Sequence, residues 1–336
     1  MIRLDAMVRM TASMTFSRCV LPADFTAKEP SRFLKGTTDM KSPSKALNLG
    51  LVALVCFFFG DGFAHADTIY VGDRSTSAIR TIDAFGNASF FAGTDFYPPH
   101  VLAVDASGNL YAAFDSNVIN KYNALGNASV FANTGLNGVD ALAFDASGNL
   151  YAANLGGGAG LGNIVKYNSQ GSPSIFAHTG AIQPAGGMAF DNNGNLYAAL
   201  EGNYTIEKYD SQGNASLFAS GIGSAAMTFY GGNLYVATVS DAIYKFDLQG
   251  QATLFANSGL SGVGGLAFDG SGNLYAVNQF SNTITKFDPQ GNASIFAESF
   301  SIQGIAIQPV PEPATWSLLA LGIGTLLGGC RMHRRS

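Results

Sequence analysis

The chain has 336 residues, a formal net charge of −5 and only three cysteines. Residues 67–310 contain 17 acidic and 7 basic residues, a net charge of −10, which argues against nucleic acid as a partner because phosphate binding needs a basic surface. Cys19, Cys56 and Cys330 all lie outside this region, so the region holds no disulfide and no thiolate metal site.

The first part of the chain has the pattern of an export signal. Residues 1–39 show no periodicity and are left unassigned, as an overlong gene start or a disordered segment. A short basic stretch then opens residues 40–66, the apolar run Leu49–Phe59 follows, and Ala64 and Ala66 form a small-x-small site. This order predicts a secretory signal peptide cleaved after Ala66, and the short run disfavours the alternative of a buried helix.

The central region repeats one pattern six times. Copies of Gly-Asn-Leu-Tyr begin at Gly108, Gly148, Gly194, Gly232 and Gly272, and a degenerate copy begins at Thr68. The tyrosines of successive copies are 38 to 46 residues apart. Each interval holds four short apolar segments between turn-forming residues, which predicts an antiparallel meander. Repeats of this size predict an all-β fold, a six-bladed β-propeller with four antiparallel strands per blade over residues 67–310.

The order of strand types predicts how the ring closes. Second, third and fourth strands each occur six times from Ile69 onward, whereas the last first-type strand is Gly304–Ile307, at the end of the region. The C-terminal strand should therefore complete the blade that the N-terminal strands begin, which leaves no unpaired central edge.

The strands of each blade also follow the order of a known superfold. A Gly-x-Ala-x-Asp strand, a Gly-Asn-Leu-Tyr-Val-Ala strand and a Lys-Phe-Asp strand succeed one another, and this order resembles NHL-repeat and related six-bladed propellers. The resemblance covers residues 67–308, and it implies the fold alone because such folds host many unrelated functions.

The end of the chain resembles a sorting signal. Pro311, Glu312 and Pro313 precede an uncharged span, Ser317–Gly329, and an arginine cluster. The cluster consists of Arg331, Arg334 and Arg335. Residues 311–336 thus resemble the PEP-CTERM signal of Gram-negative bacteria, which implies processing by an exosortase and delivery to the cell surface or extracellular matrix. The 17 residues from Ala314 to Cys330 are at the lower limit for crossing a bilayer, and the arginines would stay cytoplasmic; a permanent single-span anchor is the alternative.

Two repeated charged positions have simple structural interpretations. Four aspartates end first strands before Gly-Asn turns: Asp105, Asp145, Asp191 and Asp269. A calcium loop would also need a downstream bidentate Glu, so hairpin turns held by Asp and Asn side chains are favoured. One lysine recurs in five blades: Lys121, Lys166, Lys208, Lys245 and Lys286. We expect these lysines to occupy solvated positions of a repeated strand, with Asp210, Asp247 and Asp288 close by in the sequence, rather than to form a ring of cations.

Nothing in the repeats predicts a catalytic constellation, a metal site or a cofactor. His100 and His178 are the only histidines there, which excludes a three-His metal centre, and neither a Gly-x-Ser-x-Gly elbow nor a cysteine occurs. The predicted innermost strands are mostly apolar, which argues against a polar catalytic centre.

The turns divide into a uniform face and a variable face. Turns after first and third strands repeat Asp-x-Ser-Gly-Asn and Gln-Gly-Asn-Ala types and form the uniform face; connections after second and fourth strands differ from blade to blade and form the variable face. We expect ligand binding on the variable face, because binding residues lie preferentially on loops held by a rigid scaffold. The candidates are Asp73, Arg74, Asp95, Tyr97, His100, Glu201, Tyr204, Asp241, Gln279 and Phe280.

These features favour an exported, surface-sorted binding module for extracellular exopolysaccharide or protein, without catalysis. One alternative is a propeller-type lyase or hydrolase with a divalent metal in the central channel. Another is a passive structural protein of the matrix.

Overall fold

The computed structural model describes residues 67–94, 98–155, 162–179, 184–298 and 301–309. These residues form 24 strands and one 3₁₀ turn, Glu201–Asn203. In chain order the strands are β1 (Thr68–Asp73), β2 (Ala78–Ile82), β3 (Ala88–Gly93), β4 (Val101–Val104), β5 (Leu110–Phe114), β6 (Val118–Tyr122), β7 (Ala128–Ala132), β8 (Val139–Phe144), β9 (Leu150–Asn154), β10 (Asn163–Tyr167), β11 (Pro173–His178), β12 (Pro184–Phe190), β13 (Leu196–Leu200), β14 (Thr205–Tyr209), β15 (Ala215–Ser220), β16 (Ser224–Tyr230), β17 (Asn233–Thr238), β18 (Ile243–Phe246), β19 (Ala252–Ala256), β20 (Val263–Phe268), β21 (Leu274–Asn278), β22 (Thr283–Phe287), β23 (Ala293–Glu298) and β24 (Ile302–Gln308).

The strands form six antiparallel four-stranded sheets, numbered here as blades 1 to 6. Blade 1 has the order β24-β1-β2-β3, and blades 2 to 6 each take four consecutive strands from β4 onward. The first strands contact each other in a closed cycle, β4 to β8, β12, β16, β20, β24 and back to β4. The six-bladed propeller predicted from the repeat length is confirmed.

The closing strand pairs as predicted. β24 is antiparallel to β1, with Ile307 opposite Ile69 and Ile305 opposite Val71. Ile302, Ile305 and Ile307 are buried in a cluster shared with blade 6. The first and last strands of the region are therefore held together by ladder hydrogen bonds and by apolar packing.

A repeated aromatic contact explains the invariant tyrosine of the second strand. In every blade this Tyr meets a Phe of the fourth strand, with ring centroids 4.8 to 5.2 Å apart in edge-to-face geometry. The pairs are Tyr70 with Phe91, Tyr111 with Phe131, Tyr151 with Phe176, Tyr197 with Phe218, Tyr235 with Phe255, and Tyr275 with Phe296. Tyr111 and Tyr151 also meet Phe144 and Phe190 of the next blade, at 4.9 and 4.8 Å. The aromatic layer therefore joins blades as well as strands.

A glycine in the turn after each third strand lets neighbouring blades approach closely. These residues have φ between +76° and +85°, and a Cβ on any of them would collide with a Phe carbonyl oxygen in the fourth strand of the preceding blade. The glycines are Gly86, Gly126, Gly171, Gly213, Gly250 and Gly291. Gly86 faces Phe296, so the cycle continues across the junction between blades 6 and 1. Only Gly meets both requirements.

The predicted signal peptide at residues 40–66, the tail at residues 311–336 and the unassigned residues 1–39 lie outside the described residues. Within the described ranges, no helix is long and apolar enough to cross a membrane.

Candidate functional site

The turns of the uniform face are held by their own side chains. Asp145 Oδ1 accepts hydrogen bonds from the backbone N–H groups of Ser147 and Asn149, at 2.9 and 2.8 Å, and Asn149 Nδ2 donates to Asp145 Oδ2 at 2.8 Å. The equivalent carboxylates in the other first-strand turns, Asp105, Asp191 and Asp269, make the same contacts. The geometry is that of an Asx turn and supports the turn interpretation of this repeated position. The described residues contain no group of three or more His, Cys, Asp or Glu side chains that could hold a metal ion.

The lysines lie against the aromatic layer. Lys121 is opposite Tyr111 in the ladder, and all five lysines place Nζ 5.2 to 5.9 Å from the centroid of the second-strand Tyr ring. Lys121 Nζ is also 3.7 Å from Asp105 Oδ2, and the same pairing joins Lys166 to Asp145 at 3.6 Å. A third pair joins Lys286 to Asp269 at 3.9 Å. In these three blades the lysine thus lies near the aspartate that follows the first strand, which the antiparallel register brings close to it. Each lysine thus contributes a cation–π contact rather than a free charge.

Hydrogen bonding lowers the pKa of several turn carboxylates. The Asn292 side chain, and then the backbone N–H groups of the turn, hold the pKa of Asp288 below its usual range, and Asp83 and Asp210 have the same arrangement. Burial opposes ionisation of Asp105, but hydrogen bonds from Asn109 and Ser107 and the Lys121 charge outweigh it, so the pKa of Asp105 is lowered as well.

Stability should therefore fall in acid. Because the folded-state pKa values of these groups lie below the unfolded value of about 3.9, their contribution is present above that pH and is lost as the pH falls through the folded-state pKa. We expect the urea midpoint to decrease between pH 7 and pH 3. In the combined variant Asp83→Asn, Asp210→Asn, Asp288→Asn the urea midpoint should fall less over this pH range, because the Asn side chain does not titrate. Asn123 shows that an Asn can supply the same Oδ1 acceptor in such a turn. An equal loss in parent and variant would contradict this assignment.

The first strands line an open pocket on the propeller axis, and the side chains that line it are apolar apart from Thr228. Its volume is about 280 Å³, and its lining includes Leu102, Leu142, Met188, Met227 and Ile305. The lining agrees with the apolar innermost strands expected from the sequence.

On the variable face, Asp73 is fully buried. Its carboxylate accepts hydrogen bonds from Ser75 N and Oγ at 2.9 and 2.5 Å, from Thr76 Oγ1 at 2.6 Å and from Arg80 Nε at 2.7 Å. Burial opposes its ionisation, but these hydrogen bonds outweigh it and lower the pKa of Asp73. The neighbouring Arg74 is exposed and donates its backbone N–H to the carbonyl of Ser301. The structure thus places Arg74 at the surface and Asp73 inside the turn.

His100 lies where blades 2 and 3 meet. Its Nε2 is 2.7 Å from the carbonyl oxygen of Val139, and its Nδ1 is 3.6 Å from Asp115 Oδ1. The side chain is therefore engaged across the blade junction, near the start of β4.

Left-handed residues shape the hairpins of the variable face. Tyr204 has φ +53° and Asp241 has φ +56°. Asp241 Oδ1 accepts a hydrogen bond from Gly262 N at 2.8 Å, in the connection between blades 5 and 6, and Asn117 does the same for Gly138 between blades 2 and 3. These two contacts tie the hairpins of blades 2 and 5 to the adjoining connections.

Among the described residues of this face, three apolar side chains are exposed to solvent. Tyr204 in blade 4 is 57% exposed, Val239 in blade 5 is 70% exposed and Phe280 in blade 6 is 81% exposed. Tyr204 and Val239 both border the position that a Cβ on Gly223 would occupy, so these two residues lie close together across a blade junction. We call Tyr204, Val239 and Phe280 the apolar trio. Gln279, adjacent to Phe280, is also exposed.

Sequence reasoning found two members of the apolar trio and missed Val239. The sequence did contain a signal for Val239: it is an apolar residue in a polar turn, between Thr238 and Ser240 and immediately after a strand. Among the other predicted residues, Asp95 and Tyr97 lie outside the described residues, and Glu201 begins the 3₁₀ turn of blade 4.

Comparison with known proteins identifies the tail and the fold. Residues 309–335 match the PEP-CTERM protein-sorting motif, and no curated protein matches the chain. A chain of a nidogen/laminin complex aligns with 72% of this chain and 98% of its own length, at 17% identity and a TM-score of 0.63. A protein of unknown function from Bacteroides caccae aligns with 74% of this chain and 100% of its own, at 13% identity and a TM-score of 0.57. Virginiamycin B lyase from Staphylococcus aureus aligns with 64% and 85%, at 15% identity and a TM-score of 0.48.

At these identities the structural similarities establish the fold alone, and the lyase is too distant to inform function. The motif at residues 309–335 implies export and membrane-associated processing in bacteria, and motifs of this kind are generally recognised by exosortase. The chain therefore combines a six-bladed propeller with a bacterial sorting signal.

Proposed function

We propose that this protein is exported, sorted to the cell surface or extracellular matrix, and binds exopolysaccharide or a surface protein there through its variable face, without catalysis. The observation that carries the proposal is the apolar trio, exposed on the same face of three successive blades, with Tyr204 and Val239 close together. Exposed apolar groups on scaffold-held loops are typical of recognition surfaces.

The chemistry of this face suits a carbohydrate or a protein surface. The Tyr204 and Phe280 rings offer flat apolar surfaces on which a sugar ring can stack, and Gln279 offers an amide donor and acceptor beside them. Arg74 adds an exposed charge elsewhere on the same face. In this proposal Asp73, His100 and Asp241 do not contact the ligand. Each is hydrogen-bonded to neighbouring groups and helps to hold this face in place.

The sorting motif supplies the address in this proposal. A signal peptide over residues 40–66 would begin export, and an exosortase would process the chain near Pro311, Glu312 and Pro313 in the inner membrane. The side chains that line the axial pocket include no acidic residue, basic residue or histidine, which supports binding over the lyase or hydrolase alternative, since acid–base or metal-assisted chemistry needs such side chains.

The proposal predicts a specific loss of binding. The double variant Tyr204→Ala, Phe280→Ala should bind exopolysaccharide purified from the host bacterium roughly tenfold more weakly or worse, because a loss of about 1.4 kcal/mol changes Kd tenfold. Both side chains are more than half exposed, so the melting temperature should not change. Kd would be measured by titration calorimetry, with host surface proteins as the second probe.

The matched control is Phe85→Ala, which removes an 88% exposed ring from the uniform face. It should leave Kd unchanged. Full retention of affinity in the double variant together with loss in the control would assign binding to the opposite face.

A further inference from the structure

Both ends of the described domain lie in one turn of the uniform face. In blades 2 to 6 a continuous turn joins the first strand to the second, as Asp105–Asn109 does between β4 and β5. In blade 1 this turn is replaced by the two chain ends, because Gln308 at the end of β24 pairs with Thr68 at the start of β1. Asp67 Oδ2 also accepts a hydrogen bond from Gly270 N at 2.6 Å, in the corresponding turn of blade 6.

We propose that the uniform face is the membrane-facing side of the propeller while the C-terminal span is in the inner membrane, and that the variable face points away from the lipid. The inference rests on insertion of the predicted span from Ala314 to Cys330, and it holds independently of what the variable face binds. The partner of the uniform face is the outer leaflet of the inner membrane.

The length of the tether carries the argument. Five residues, 309–313, separate β24 from Ala314, and five fully extended residues reach at most about 18 Å. Placing the variable face on the membrane would require the tether to pass around the rim. That path covers about 14 Å for the three strand spacings of a blade and about 17 Å for the length of a strand. The tether is too short for this path.

The surface chemistry of the uniform face fits an interfacial position. Phe85 and Leu125, in the turns after the third strands of blades 1 and 2, are 88% and 82% exposed. Aromatic and aliphatic side chains lose apolar exposure when they enter the headgroup region. Aspartates outnumber lysines among the turn residues of this face, so attraction to anionic lipid is not what orients it.

The lack of cysteine in the described domain allows a direct test. The full chain, with Cys19, Cys56 and Cys330 replaced by Ser, would carry one probe position, either Ser147→Cys on the uniform face or Ser281→Cys on the variable face. Both serines are exposed in tight turns. Each protein would be labelled with bimane and reconstituted in phosphatidylcholine vesicles that contain a headgroup nitroxide lipid. Because the two ends leave from the same face, the expectation is the same with or without the signal peptide.

We expect strong nitroxide quenching at position 147 and little at position 281. In a second pair of proteins, Gly/Ser insertions of 40 residues before Asp67 and after Val310 should remove the difference, since such linkers span about 35 Å. Equal quenching at both positions with native tethers, stronger quenching at position 281, or failure of the protein to float with the vesicles would each overturn the proposal. An undiminished difference with long tethers would overturn the short tether as the cause of the orientation. Loss of polysaccharide binding would not affect these readings, so the two proposals fail separately.

Discussion

Ending the chain after Phe300 should unfold the entire propeller. The truncation removes β24 and with it Ile302, Ile305 and Ile307, whose burial contributes about 5–9 kcal/mol together. This is comparable with the whole stability of an ordinary domain, about 5–15 kcal/mol. The truncation also leaves β1 as an open edge at the centre of the ring, next to uncovered apolar groups of blade 6. Urea unfolding followed by circular dichroism would measure the loss.

The control is the protein that ends after Val310. It retains β24 and should have the same urea midpoint as the full chain. If the shorter protein, ending after Phe300, also keeps the parental midpoint, the closing role of β24 is wrong.

A methyl group added at one blade junction should lower the free energy of unfolding far more than the same group added at an open turn. Gly171 and Gly148 are turn glycines of blade 3 with nearly the same φ, +76° and +80°. A Cβ at Gly171 would collide with the carbonyl oxygen of Phe131 in blade 2, whereas nothing lies within 4 Å of a Cβ at Gly148. Both substitutions by Ala should lower the free energy of unfolding by about 1–2 kcal/mol, because Ala is disfavoured in the left-handed backbone conformation. Gly171→Ala should lower it by about 1–3 kcal/mol more, because the added methyl group collides with the carbonyl oxygen.

The comparison separates backbone strain from packing between blades. The free energy of unfolding of both variants would be measured in urea under identical conditions. Equal losses in Gly171→Ala and Gly148→Ala would show that the junction yields to the methyl group, and that these glycines are required for φ alone.

The fold could be predicted because the sequence pattern of one blade repeats along the chain. The recurrent Tyr at positions such as 111 and 151 gave the blade length, and the displaced Gly304–Ile307 strand gave the closure, since each depends only on counting along the chain. The role of turn aspartates such as Asp145 followed in the same way, because an Asx turn is local in sequence.

What escaped prediction depends on contacts made through strand pairing and between connections and blades. The partner of Lys121 is Asp105 rather than an aspartate nearer in sequence, because the ladder register decides which side chains meet. The burial of Asp73 and the hydrogen bond from Gly262 to Asp241 arise from how connections fold over the ring. Val239 was missed for the same reason, since its proximity to Tyr204 exists only after two blades pack together. The variable face is therefore the part of the molecule that the sequence describes least.

The pairing of β24 with β1 sets an order of events during synthesis. The ribosome completes blades 2 to 6 one after another, but blade 1 lacks its innermost strand until residues 302–308 have been made. The sorting motif begins at residue 309, directly after that strand. A chain interrupted before residue 302 therefore lacks both the strand that closes the ring and the sorting signal, so every chain that carries the complete signal also carries the closing strand.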